Sequence, residues 1–420
     1  MYNVKLYNYV PEPQPAKSDR VVAAHYYAVW KKGAAEIHDA FNMLHDYPER
    51  TPLMGYYDES NPEVCDWEIK WATEHGVNCF IHCWYRRLEN MGKPVTVDML
   101  RCGHGLHEAL FNAKYQKYMN FAIMFENCPR WGTVTGKEDL LENVLPFWME
   151  NYFKRDNYLK IDNKPVVFVF AHQRFDEALG TPEEQKAALD ACREYCKSHG
   201  FDGMIFAPCN TSTDPEVHAA CLARGYDFRF GYGSGYGAPY DFPENKDAMD
   251  GQVNLLTKRL SQDPMHFIPT ASCFLDTTPR ANKHWRITLG YDFETYNVWY
   301  ITPNEYREVL QRMKDVCDSL PEGAWAKKII MLDNWNEWDE GHFISPSHQF
   351  GFGYLQALRE VFTERNNLPD YRTPQDLGFT GYDDVWEKPD MTKVCQEILD
   401  SGLSFKELVL KRKRENMAEE

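Results

Sequence analysis

The stretch Lys328-Ile329-Ile330-Met331-Leu332, followed at once by Asn334-Trp335-Asn336-Glu337-Trp338-Asp339-Glu340-Gly341-His342-Phe343, decides how this chain is read. A short apolar run of this kind reads as a strand buried on both faces, the type found in parallel sheets. Glu337 and Glu340 then fall where the strand ends and its loop begins, the end at which α/β barrels build their sites. Two carboxylates three apart among tryptophans suit acid–base work beside flat apolar faces. The plainer alternative is that these residues only cap and pack the next helix.

Working outward, seven further β-rich runs precede this one, at residues 21–27, 77–84, 120–125, 165–170, 203–207, 226–230 and 266–271. Helical patterns separate several of them, with start signals at Asn61-Pro62-Glu63, Thr181-Pro182-Glu183-Glu184 and Thr302-Pro303-Asn304-Glu305. This alternation predicts an α/β fold, a (β/α)8 TIM-type barrel with elaborated loops. A doubly wound sheet would leave two edges and usually carry a nucleotide fingerprint. The candidate, Gly231-Tyr232-Gly233-Ser234-Gly235-Tyr236-Gly237, lacks the G-x-G-x-x-G order and runs into Ala238-Pro239, so it reads as an aromatic loop. The barrel is placed at 1–366, with its last helix near 352–363. A C-terminal helical extension at 367–420 is expected to pack on it, closing with one helix near 390–414. The basic run Lys411-Arg412-Lys413-Arg414 reads as a solvated helix end.

Composition bounds the partners. The 63 Asp+Glu against 46 Lys+Arg give a net charge of −17, which argues against nucleic acid because phosphate binding needs clustered cations. Aromatic content of 15 %, with 12 Trp and 25 Tyr, suits a glycan or polysaccharide instead. No apolar run is long enough to span a membrane, and Met1-Tyr2-Asn3-Val4-Lys5 does not open a signal peptide. As written, the chain reads as cytoplasmic; it would be periplasmic or secreted if a leader had been removed. The 12 cysteines show no CxxC pair and no Cys/His cluster with zinc spacing, so no metal or cofactor is expected. Cys79 and Cys83, and Cys192 and Cys196, read as free buried thiols. Oligomeric state is not legible.

The run ends carry the candidate site. The first closes with His25-Tyr26-Tyr27, the second with His82-Cys83-Trp84-Tyr85-Arg86, and the third with Glu126-Asn127 before Arg130-Trp131. The fifth closes with Pro208-Cys209-Asn210, the sixth with Tyr232, and the loop after the seventh holds Asp276-Thr277-Thr278-Pro279-Arg280. Singly, each has a bland reading: His25 or His82 as a satisfied core histidine, Trp84 as core filling, Arg280 and Asp276 as a loop ion pair. Together with Trp335, Asn336 and Trp338 they would line one end of the barrel with hydrogen-bonding and aromatic groups.

These residues also carry a family resemblance. Asn336-Glu337-Trp338-Asp339-Glu340-Gly341, with Phe350-Gly351-Phe352-Gly353-Tyr354-Leu355-Gln356-Ala357-Leu358 downstream, resembles the C-terminal signature of WbsX-like, glycoside hydrolase family 99-like proteins. Gly55-Tyr56-Tyr57-Asp58, Phe125-Glu126-Asn127 and Leu275-Asp276-Thr277-Thr278-Pro279-Arg280 match further, in the order the family has them. The resemblance implies a (β/α)8 barrel and a retaining, endo-acting α-mannosidase-like hydrolase using a Glu-x-x-Glu loop. Many WbsX-like proteins are instead named as polysaccharide-biosynthesis or glycosyltransferase proteins. Carried over by position, Glu337 deprotonates the sugar 2-hydroxyl and Glu340 protonates the departing oxygen. Glu126, Asn127, His82 and Arg280 position the substrate. The chain departs from the mannan-cleaving pattern Glu-Trp-His-Glu at Asp339, and after the first run, where Ala28-Val29-Trp30-Lys31-Lys32 and a helical insertion stand in place of an aromatic and acidic run.

Three function classes follow. A glycoside hydrolase is favoured, since both carboxylates are present and water needs no cofactor site. A glycosyltransferase is the alternative, although neither a Gly-rich phosphate cradle nor a DxD-type motif stands at a run end; Asp241-Phe242-Pro243-Glu244 supplies none. A non-catalytic glycan-binding barrel is the third.

Overall fold

In the computed structural model, which describes residues 10–33, 40–232, 238–280, 297–379, 382 and 390–418, seven of the eight apolar runs form strands. They are β1 (Val21–Tyr26), β2 (Cys79–Arg86), β3 (Asn120–Phe125), β4 (Lys164–Val169), β5 (Ile205–Pro208), β6 (Thr270–Ala271) and β7 (Ile329–Asn334). They pair in parallel in the order β5-β4-β3-β2-β1-β7-β6. Almost every strand residue is buried, as expected where both faces of a parallel sheet are covered. Two-residue strands Leu100–Arg101 and Lys160–Ile161 add antiparallel pairs to β2 and β4, so the sheet is mixed.

The run at 226–230 departs from expectation, because it forms no ladder. Single parallel bridges join Phe230 to Cys209 and Arg229 to Phe267. The reason is local: the Asp227 carboxylate takes the Phe206 amide at 2.9 Å, and Asp263 takes the amides of Met265 and His266 at 3.2 and 3.0 Å. Backbone bonds such as Asp227 N–H to the Phe206 carbonyl at 2.9 Å and Arg229 N–H to the His266 carbonyl at 2.7 Å do form, but Pro208 has no N–H to return the next rung, and the two carboxylates take neighbouring amides. The seventh run, expected over 266–271, is regular only at Thr270–Ala271.

The helix start signals work as the sequence implies. Asn61 caps α1 (Pro62–Glu74) by accepting from the Glu63 amide at 2.9 Å. Thr181 and Thr302 form complete capping boxes at α2 (Pro182–Ser198) and, after α3 (Asn245–Gln262), at α4 (Pro303–Asp318). α5 (Gly353–Phe362) packs on α4, and Tyr354 on it donates to the Ile301 carbonyl at 2.7 Å. The single closing helix expected near 390–414 is two, α6 (Met391–Ser401) and α7 (Phe405–Ala418). Gly402 ends α6 in the left-handed region at φ +66°. Cys79, Cys83, Cys192 and Cys196 are free and buried, and among the described residues no helix is long and apolar enough to cross a membrane. Of the glycine-rich loop, 233–237 lie outside the described residues.

Candidate active site

Alternation along β2 sorts its side chains onto two faces. Cys83 and Tyr85 face a cleft of about 140 Å³, whereas His82 and Trp84 face the other way. His82 packs against Tyr26 at 4.5 Å, and Trp84 sits between Phe125 and Trp148 while donating to Tyr152 Oη at 3.0 Å. Both expectations for these two residues are therefore corrected: they fill the layer between sheet and helices. Tyr27, Tyr85, Glu126 and Trp131 do reach the cleft, as do Tyr232, Arg280, Glu337 and Glu340. At this size the cleft suits part of a glycan, being well below the roughly 300–1,000 Å³ of pockets for drug-sized ligands.

Beyond β7 the chain turns into a small hairpin, β8 (Asn336–Glu337) against β9 (His342–Phe343), with Glu337 opposite His342. Glu340 lies in its turn. A register shift between Ala24 and His25 of β1 skips Asp333 and sets Asn334 opposite His25. The skipped Asp333 carboxylate accepts from the Ser272 hydroxyl. Gly341 adopts φ +71°, and a Cβ there would stand 2.8 Å from the Asp276 nitrogen. That amide donates to the Glu340 carbonyl at 2.8 Å, tying the loop after β6 to the turn.

The tie delivers Arg280 onto all three acids of the turn. Its guanidinium grips Asp339 through two bonds of 2.8 and 3.0 Å, meets Glu337 Oε1 at 3.2 Å and pairs with Glu340 Oε1. Asp339, the departure from the Glu-Trp-His-Glu pattern, offsets the arginine charge. Burial, opposed by Arg280 and reinforced by the neighbouring acids, raises the pKa of Glu337 well above the carboxylate range and raises that of Glu340. Glu337 Oε2 is buried with no hydrogen-bond partner among the described residues. Across the cleft, burial pushes Glu126 up to about 8.

The remaining expected residues build the frame. His25 lies under the cleft, edge-on to Tyr232 at 5.3 Å, and burial pushes its pKa down to about 3, so it is neutral. Tyr232 accepts from Asn334 at 2.7 Å. Asn127 clamps the Ala171 backbone with bonds of 2.9 and 3.1 Å, and Asn210 contacts His172 at 3.1 Å. Asp276 pairs with the buried Arg50. Trp335 donates to Glu68 at 3.0 Å and Trp338 to the Tyr57 hydroxyl at 3.0 Å. Asn336 accepts from the Tyr27 amide at 2.9 Å. None of Asn127, Asn210, Asp276, Trp335, Asn336 or Trp338 lines the cleft.

Sequence reasoning missed three participants. Arg50 donates to the Asp276 and Trp338 carbonyls at 2.9 and 3.0 Å, joining the loop after β6 to the hairpin turn. Glu59 accepts from the Trp30 amide at 2.9 Å and from Asn336. Arg101 enters the cleft from the Leu100–Arg101 strand. Only Glu59 had a signal, standing beside the Gly55-Tyr56-Tyr57-Asp58 motif. Among the described residues, His218, Asp263 and His266 could hold a metal ion, their ligand atoms lying within 4.8 Å of one another. They precede β6 in sequence, and none of the three lines the cleft.

Comparison with known proteins bears on the whole arrangement. The family described as Glycosyltransferase WbsX matches residues 136–358, a little over half of the chain. The uncharacterized protein WxcX of Xanthomonas campestris pv. campestris is 22 % identical in one strain and 23 % in another, each over 82 % of this chain. The chain spans about half the length of these curated relatives, 48 %. A GH99 endo-α-mannosidase from Bacteroides thetaiotaomicron shares the fold, with a TM-score of 0.52 at 16 % identity, over 82 % of this chain and 97 % of that one. The family match includes the Glu337–Glu340 turn and the Arg280 loop, and the chain belongs to the glycosyltransferase WbsX family.

Proposed function

We propose that this chain is a carbohydrate-active enzyme that cleaves an α-linked glycan or polysaccharide with Glu337 and Glu340. In this reading the run at 226–230 completes a closed (β/α)8 barrel within 1–366, and 367–420 is an extension packed on it. The observation that carries the proposal is the pair of buried glutamates three residues apart, held by Arg280 beside Tyr27, Tyr85, Trp131 and Tyr232. The likeness of fold to an endo-α-mannosidase supports it. As the family 99 resemblance implies, Glu337 takes the 2-hydroxyl proton while the 2-oxygen attacks the anomeric carbon. Glu340 protonates the departing oxygen. Water then opens the resulting ring, giving its proton to Glu340 as Glu337 returns one to the 2-oxygen. Arg280 offsets the charge on whichever glutamate is ionised.

A second reading, transfer of the glycosyl group to a sugar hydroxyl in polysaccharide biosynthesis, is favoured by the family's own description. The same two carboxylates serve it, with the acceptor hydroxyl in place of water. Product analysis on α-linked mannans, rhamnose- or fucose-containing polysaccharides, N-glycans and nucleotide sugars, with and without acceptor glycans, separates the two. New reducing ends mark hydrolysis; elongated acceptors mark transfer. General acid–base help is worth on the order of 10²–10⁴-fold, so Glu340→Gln should lose at least that on poor leaving groups and less on good ones. Glu337→Gln should be slow on both. Near-wild-type turnover in both folded variants would remove the assignment and leave a glycan-binding barrel.

A further inference from the structure

Arg101 is buried at 3 % exposure, yet it lines the cleft. Its guanidinium lies over the Trp131 ring at 4.5 Å and the Tyr85 ring at 5.1 Å, with Tyr27 beside it. The hydroxyl of Tyr27 that reaches it is uncharged, and among the described residues no carboxylate forms an ion pair with it. Ring faces orient a cation without neutralising it. A buried charge left in that condition is costly, so such groups are normally paired. Glu126, which lines the cleft beside it, is pushed up to about 8 by burial and supplies little counter-charge at neutral pH.

We propose that Arg101 receives the carboxylate of an acidic sugar, and that the glycan acted on here contains hexuronic acid or a similar carboxylate-bearing residue. The proposal rests on the reading of this cleft as a glycan site. A planar guanidinium set over two rings that meet edge to face remains a two-pronged donor, which matches a carboxylate. Several features set the charge at one. Arg280 is already paired with Asp339, Glu337 and Glu340, and those acids would repel a doubly charged diphosphate. The chain's overall −17 likewise disfavours densely charged polymers. A single carboxylate per sugar, within contact distance of one arginine, meets a local field that distant surface charge barely reaches beyond a Debye length of ~8–10 Å.

The test is calorimetric binding to the full chain. Oligosaccharides of hexuronic acids in gluco, galacto and manno configuration are each compared with the carboxyl-reduced counterpart, which differs only in charge. At least one acidic form should bind on the order of 10–100-fold tighter than its reduced form, the range for a charged hydrogen-bonded contact. Arg101→Gln should erase that preference and Arg101→Lys should keep part of it. Equal or tighter binding of the reduced forms, retention of the preference in Arg101→Gln, preference for sulfated sugars or sugar diphosphates instead, or no binding to any acidic form would each overturn the proposal. If Arg101→Gln fails to fold by circular dichroism, the paired ligands on wild type and Arg101→Lys decide. Because binding needs no turnover, a chain that prefers uronates without cleaving them separates failure of the catalytic reading from failure of this one.

Discussion

A glutamic acid that keeps its proton near pH 7 leaves a mark on stability as well as on chemistry. Glu126 ionises near its ordinary value when the chain is unfolded, but burial holds it at about 8 in the folded state. Its folded pKa is raised, so between about 4.5 and 8 the unfolded chain sheds a proton that the folded chain retains. Stability therefore falls as pH rises through that window and levels off above it. A tenfold difference in proton affinity between the two states is worth ~1.4 kcal/mol, so a few kcal/mol are lost by the top of the window. Glu126→Gln removes the titration. Denaturant melts from pH 4 to 9 should show the variant gaining on wild type as pH rises, with the two closest at the acid end; a pH-independent gap would contradict the buried, protonated acid.

The elements around the site show where sequence pattern succeeds and where it stops. Runs of apolar residues located β1 to β5 and β7, and capping residues located α1, α2 and α4, because both signals are local. The face on which a strand residue lies is local too, yet choosing the inward face requires one fixed point, and strand-end position alone placed His82 and Trp84 in the cleft. Arg101 arrives on a two-residue strand with no periodicity of its own, so nothing local marks it. Trp84→Phe should lose the bond to Tyr152, about 1 kcal/mol of stability, and leave glycan affinity intact. Trp131→Ala should do the reverse, lowering affinity with little change in melting. Affinity loss in Trp84→Phe matching that in Trp131→Ala would place both rings in the cleft. The hairpin has its own weak point at Gly341, where left-handed backbone and contact with the Asp276 amide both exclude a side chain. Gly341→Ala should cost on the order of 1–3 kcal/mol and lower turnover by moving Glu340 away from Arg280; unchanged melting and turnover would show that the turn adapts.

At the scale of the whole molecule, the C-terminal helix α7 reaches across to the loops that carry the site. Arg412 donates to Glu49 at 2.7 Å and to the Asp46 carbonyl, and Lys413 meets Asp241 at 2.8 Å. Asn416 donates to the Thr278 carbonyl at 2.8 Å, two residues before Arg280. On the other side Arg50, next to Glu49 in sequence, holds Asp276. The loop after β6 is thus gripped twice at the entry to its short 3-10 turn (Thr278–Arg280), at Asp276 by Arg50 and at Thr278 by α7. A chain ending at residue 402 keeps the sheet and the Arg50 pair but loses the second grip. Polar contacts of this half-buried kind are worth ~0.5–1.5 kcal/mol each, so melting should fall by only a few degrees. The larger effect is local. Backbone exchange of Arg280, whose amide donates to Thr277 at 2.9 Å, should accelerate by at least tenfold in hydrogen-exchange mass spectrometry, while β1 to β4 stay protected. Turnover should fall with it, since Arg280 must hold two glutamates at once. Unchanged exchange at 277–280 in the shortened chain would mean that Arg50 alone fixes the loop, and that α7 contributes nothing to the site.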